Sequence, residues 1–309
     1  MSALPPARIL EVTPDEYHKL PGFSASLAKI LIARSPAHAK DAADRHAEAI
    51  ADEDDDDVGI SDDKQKRLDA GSILHALILG IGKRVEVVPS TILSKNGAYG
   101  TAESKAARDA ARAAGRIPVK EPDMPRYEHV AGAIRSKIAA AGHVLDGISE
   151  LAIEWWDPTS HGPVQCRAML DHSIIWSETG ARGPTGAIIY DLKCVADASH
   201  ERSERSAESL GYGIQVAAYT RALNALHPSL AGRIEFRFLF AETGRPYELW
   251  DPTPDGMFRE LGEQRWRRAV LAWAECQALG RWTGLRIPER KEITAPMWAL
   301  RREGFTADE

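Results

Sequence analysis

AIIYDLKC, residues 187–194, decides how this chain is read. Its apolar, β-branched and aromatic residues follow the loop SETGARGPTG (177–186) and mark a buried strand. On a strand, residues two apart share a face, so Asp191 and Lys193 point the same way and Leu192 points into the opposite layer. An acid and a lysine presented together at a strand end suit a Mg²⁺ site beside a phosphate. The carboxylate ligates the cation, and the lysine orients or deprotonates water or neutralises developing charge. The competing reading is a surface ion pair, the commoner meaning of Asp-x-Lys taken alone.

Working outward, ELAIEWW (150–156), PVQCRAML (163–170) and HSIIW (172–176) also read as strands. Asp171 lies between the last two, as either a second metal carboxylate or a turn residue. Downstream, 203–226 reads as helix, RIEFRFLFAE (233–242) and PYELW (246–250) as a strand pair, and 255–279 as the last long helix. Gln215 and Tyr219 are spaced i, i+4, so their polar tips meet, in a site or in the core. Upstream, residues 14–50 read as helix with Ser24 or Ser26 as N-cap, and KQKRLDAGSILHALILG (64–80) as a buried helix. VEVVP (85–89) is a short strand, a loop and a basic alanine-rich helix fill 91–120, and a helix covers 127–142. His75 is a lone imidazole on the apolar helix, a position more often structural than ligating. This order predicts an α/β fold with one central mixed sheet flanked by helices and an N-terminal helical portion.

The chain has 309 residues, 27% charged and 44% hydrophobic, enough for one large domain or two small ones. No apolar run reaches the ~18 residues of a membrane span, and the N-terminus lacks a secretory layout, so a cytoplasmic protein is expected. The three cysteines form no CxxC pair, which argues against a disulfide framework, a zinc ribbon or a four-cysteine iron–sulfur site. The formal charge is −6, but Asp52 to Asp63 holds eight acids and no base; without them it becomes +2. That run reads as a solvated loop, and acidity does not exclude DNA. Trp266 and Trp273 stand seven apart on one helix, which favours packing over base stacking.

In order, the chain shows a helix with G-x-x-x-H (LDAGSILHALILG), a strand Asp (QCRAMLDHSII), Asp-x-Lys (IIYDLKCVADAS) and Q-x-x-x-Y (GYGIQVAAY), after an opening SASLAKILIARSPAHAK. This pattern resembles the PD-(D/E)xK nucleases of the RecB-like branch, and most of all the phage and prophage RecE-type exonucleases (exodeoxyribonuclease VIII-like). The resemblance covers most of the chain. Leu170 stands where the family name has proline, and the loop between Asp171 and Asp191 is longer than expected.

The resemblance implies a single restriction-endonuclease-like domain. Residues 1–50 are its N-terminal helical part, 51–63 an acidic loop, 64–287 the nuclease core and 288–309 a tail. It implies Mg²⁺ (or Mn²⁺) held by His75, Asp171 and Asp191, with Lys193 activating water and Gln215 and Tyr219 supporting the site. Ser24, Ser26, Arg202 and Arg205 are the positions expected to meet DNA. Glu150 and Glu154 receive no role. The implied activity is degradation of linear duplex DNA from its ends, 5′→3′, for recombination. A RecT-type single-strand annealing partner and a trimeric or tetrameric ring are implied with it. Two alternatives stand: a RecB-like nuclease of a defence or CRISPR-adaptation system, ranked lower because the cysteine cluster is lacking, and an inactive DNA-end-binding subunit.

Overall fold

Two residues of strand, β1 (Arg8–Ile9), lead into three short helices where the pattern predicts one: α1 (Pro14–Lys19), α2 (Ala25–Ala33) and α3 (Pro36–Glu48). The computed structural model describes residues 4–48, 62–81, 84–285, 295 and 297–304. The acids from Asp52 to Asp57 and much of the expected tail lie outside them. Thr13 opens α1 with a capping box to Glu16, and Pro21–Gly22, with Gly22 at φ +126°, ends it. Ser24 caps α2 by accepting from the Leu27 N–H. Pro36 at the first position of α3 prevents α2 from continuing.

Next come α4 (Asp62–Ile78), β2 (Val85–Val88), α5 (Ala102–Ala113), β3 (Ile117–Lys120) and α6 (Met124–Ala140). β2 and β3 pair in parallel as a separate two-stranded sheet. The sequence reading has no strand at β3, because four residues that include a proline carry little pattern.

The sheet-forming half follows: β4 (Ile148–Asp157), β5 (Val164–Trp176), β6 (Gly186–Val195), α7 (His200–Ser209), α8 (Tyr212–Leu226), β7 (Ile234–Glu242), β8 (Leu249–Trp250), α9 (Gly256–Leu279) and α10 (Met297–Arg302). Six strands form the central sheet in the order β1-β4-β5-β6-β7-β8. All neighbours are antiparallel except β6 and β7, which α7 and α8 join as a parallel crossover. The expected mixed α/β sheet flanked by helices is therefore present.

Two local expectations change. The strands predicted at 163–170 and 172–176 are one, so Asp171 is a mid-strand residue and not a turn. The helix predicted over 203–226 breaks at Gly211, whose φ of +65° a helix interior does not allow.

One face of the sheet packs on α2, α8 and α9 through Phe23, Trp155, Ile214, Leu223, Trp266 and Trp273. The other meets α4 and α6 through Leu74, Ile134, Ile138, Tyr190 and Leu192. Trp266 and Trp273 are thus core residues, as their spacing indicates. The Trp266 indole donates to the buried Asp157 at 2.6 Å, and Arg221 donates to the same carboxylate at 2.8 Å. These bonds tie α8 and α9 to β4. Among the described residues no helix is long and apolar enough to cross a membrane.

Candidate active site

The pairing of β5 with β6 runs from Trp176↔Gly186 to His172↔Tyr190 and stops. One step further in the same register stands Asp171 opposite Asp191. The strands part there, and the Asp171 Oδ2 accepts from the Leu192 N–H at 3.0 Å. On the other side of β5, the register with β4 runs through Ser149↔His172 and Leu151↔Leu170 but leaves Glu150 and Asp171 unpaired. Glu150 has φ +55°, a left-handed conformation unusual for a residue with a side chain. The site therefore lies where the central sheet opens, and backbone distortion on β4 faces it.

α4 delivers His75, whose Nε2 is 3.1 Å from the Asp171 Oδ2. Burial opposes charge on this imidazole, but the adjacent Asp171 carboxylate raises its pKa above the ordinary value. Burial also works against Asp171, yet His75, Lys193 and the Leu192 N–H hold its carboxyl below the usual range. Glu150 pairs with Arg84 at 2.7 Å beside them. Its pKa is raised by burial, with Arg84 pulling the other way.

Asp191 is fully buried. Its Oδ1 accepts from the Gln215 amide at 2.6 Å, and its Oδ2 meets the Lys193 ammonium in an ion pair without accepting a hydrogen bond of ordinary geometry. Burial pushes this carboxyl up to about 6 against the pull of Lys193, and the like charge of Asp171 adds to the rise. For Lys193 burial favours the neutral amine, but Asp191 and Asp171 outweigh it and raise the pKa. The Lys193 ammonium also lies 4.7 Å from the centre of the Tyr212 ring. The Gln215 amide donates to the Tyr219 hydroxyl at 3.1 Å, the i, i+4 contact read from the sequence.

A cleft of about 440 Å³ opens on the His75 and Asp171 side of this cluster, lined among others by Tyr17, Ser24, Ser26, His75, Glu150, Arg167 and Asp171. Lys193 lines an adjoining cavity with His75 and Arg84, and Asp191 is buried behind both. Ser24 and Ser26 thus reach the same cavity as His75 and Asp171. Arg202 and Arg205 do not line it; they lie on exposed α7 and pair with Asp197 and Glu201. Glu154 is also elsewhere, bonded to Arg8 and Gln165. The arginine in the cleft is Arg167 on β5. It is buried, donates to the Tyr17 and His18 carbonyls, and stacks 4.5 Å from the centre of the Tyr17 ring. Among the described residues no carboxylate pairs with it, and its Nε is buried without a partner.

Sequence reasoning missed Arg167, Arg84, Lys29 and Tyr212. None belongs to a recognisable spacing, and only the buried position of Arg167 inside an apolar strand gave a signal.

No protein-family model matches the chain, and no curated protein is significantly similar to it. In three dimensions it is similar to the crystal structure of a putative exonuclease from Eubacterium rectale. The TM-score is 0.51 at 11% identity, covering 96% of this chain and 99% of that one. The two share a fold. At that identity the likeness concerns architecture alone.

Proposed function

We propose that this chain is a metal-dependent nuclease of the PD-(D/E)xK kind that hydrolyses linear duplex DNA from its ends. The observation that carries the reading is the gathering of His75, Asp171, Asp191 and Lys193, from one helix and two strands, where the central sheet opens into a cleft. The donor set, two carboxylates and an imidazole, fits a hard divalent cation such as Mg²⁺ or Mn²⁺. The two opposed carboxylates, where burial and the like charge of Asp171 push the Asp191 carboxyl up, are what such an ion would satisfy. Among the described residues no three His, Cys, Asp or Glu side chains already stand together as a metal-holding group, and Asp191 is engaged by Lys193 and Gln215. His75, Asp171 and Asp191 are the residues that would hold the ion. When bound, it supplies Lewis-acid stabilisation of the attacking and leaving oxygens.

The residues of the chain do the rest. Lys193 would orient the attacking water and neutralise charge on the phosphate. Gln215 and Tyr219 fix Asp191. Arg167, a buried cation with no carboxylate partner among the described residues, supports recognition of an anionic DNA end beside Ser24 and Ser26. The 5′→3′ direction, a role in recombination, the RecT-type partner and the ring follow from the RecE-type resemblance alone.

The test is hydrolysis of linear duplex DNA labelled at one phosphorylated 5′ end, beside a closed-circular control, with Mg²⁺ and with EDTA. Mg²⁺-dependent loss of the linear DNA that spares circles, and is abolished in Lys193→Ala and Asp191→Ala, is the expected result. Intact linear DNA with every divalent cation and salt concentration would overturn the reading.

A further inference from the structure

The Gln215 carboxamide sits between two charged groups of opposite sign. Its Oε1 accepts from the Lys29 ammonium at 3.1 Å, while its Nε2 donates to the Asp191 Oδ1 at 2.6 Å and to the Tyr219 hydroxyl. An ammonium has only donors and an ionised carboxylate only acceptors. Of the two orientations of a carboxamide, one satisfies both neighbours. The other sets NH₂ against NH₃⁺ and oxygen against oxygen. Lys29 therefore selects the orientation that gives Asp191 its hydrogen bond.

The lysine is itself held in place. It projects from α2 into the junction of α7 and α8, where a Cβ on Gly211 would come within 3.2 Å of the Lys29 Cγ. Its Nζ lies 5.2 Å from the centre of the Tyr212 ring, the ring that also receives Lys193. Lys29 lines neither the main cleft nor the adjoining cavity beside Lys193. Its ammonium is spent inside the protein and does not face the space a DNA strand would take.

We propose that Lys29 is a positioning residue of this site, acting on Asp191 through the orientation of Gln215. The inference rests on the nuclease reading for its kinetic consequence but not for its structural one. One consequence is that an N-terminal helix, outside the Asp-x-Lys strand and the Gln/Tyr helix, sets the geometry of the reacting cluster.

The experiment compares wild type, Lys29→Met, Lys29→Arg, Gln215→Ala and Lys29→Met/Gln215→Ala by two readouts. The first is kcat and KM on end-labelled linear duplex. Lys29→Met is expected to lower kcat by about 10- to 100-fold, the usual cost of losing a group that orients a metal ligand, with KM little changed. Lys29→Arg, also a pure donor, is expected to recover most of that loss. In the Gln215→Ala background the Lys29 substitution should add less than about twofold, because its route of action is already gone. A rise in KM with kcat intact, or full multiplicative effects in the double variant, overturns the proposal and makes Lys29 a direct DNA contact. The second readout is hydrogen exchange of the Gln215 side-chain NH₂ in protein labelled at glutamine nitrogens. Protection in wild type and Lys29→Arg, lost in Lys29→Met, is expected; equal exchange in wild type and Lys29→Met overturns it. If wild type cuts no DNA, the nuclease reading fails, and the exchange readout still decides the role of Lys29.

Discussion

Asp171 and Asp191 occupy opposed positions one step past the last paired residues of β5 and β6, yet they are stabilised differently. Asp171 takes His75 and a backbone N–H, while Asp191 takes Lys193 and Gln215. Their contacts differ, although the Lys193 charge acts on both, so each acid is expected to be needed in its own right. Asp171→Asn and Asp191→Asn should each lower the rate of DNA hydrolysis by at least about 10³-fold, and Lys193→Met by about 10²- to 10⁴-fold, the range for a positioned proton-transfer group. Single-turnover kinetics on saturating duplex, with circular dichroism to confirm folding, measure this. Retention of more than a tenth of the wild-type rate in any of the three removes that residue from the chemistry.

Among the described residues Arg167 has no carboxylate to neutralise it, and it faces the cleft with Ser24 and Ser26. Arg167→Gln is expected to raise KM for 5′-phosphorylated ends by about tenfold, the scale of one charge-assisted hydrogen bond, and to leave 5′-hydroxyl ends nearly unaffected. Competition between the two kinds of end in one reaction reads the difference directly. Equal losses on both would assign Arg167 to holding α1, through the Tyr17 and His18 carbonyls, and not to the DNA end.

Burial, with Lys193 nearby, pulls the Lys29 pKa down to about 8, against the attraction of Asp191 and Asp171. The unfolded chain keeps this ammonium charged up to its ordinary pKa, so between about 8 and that value the unfolded state binds more protons. Wild type should therefore gain stability relative to Lys29→Met as pH rises from 7 to 10. The gain is on the order of 1 to 3 kcal/mol. Denaturant unfolding at several pH values gives the difference curve, and a flat curve contradicts a desolvated Lys29.

Two glycines on helices separate close packing from propensity. A Cβ on Gly262 would lie 2.1 Å from the Gly213 carbonyl oxygen, so α9 and α8 meet backbone to backbone. Gly262→Ala should destabilise by about 1–3 kcal/mol or more, because one helix must move. Gly132, inside α6, has open space for 4 Å around the position a Cβ would take, and Gly132→Ala should stabilise by about 0.5–1 kcal/mol. Paired thermal unfolding runs check both signs.

How much of the fold and site is legible in the sequence differs by residue. The β-branched strands, the crossover between β6 and β7, and the shared face of Asp191 and Lys193 follow from a period of two and from turn residues. These are local properties, and a sequence carries them openly. The contact of Gln215 with Tyr219 is equally local, one helical turn. The three N-terminal helices read as one because apolar spacing continues across Pro21–Gly22 and Ser35–Pro36, and the breaks depend on where each segment docks.

Tertiary structure alone decided the rest. His75 and Asp171 are far apart in sequence and meet because α4 crosses the open end of the sheet. Lys29 reaches Gln215 across 186 positions, and Arg167 turns its guanidinium toward α1 across about 150. A lone lysine on a helix and a lone arginine on a strand look like any surface charge in a sequence. What makes them part of a site is desolvation and the choice of partner, and both exist only once the layers have packed.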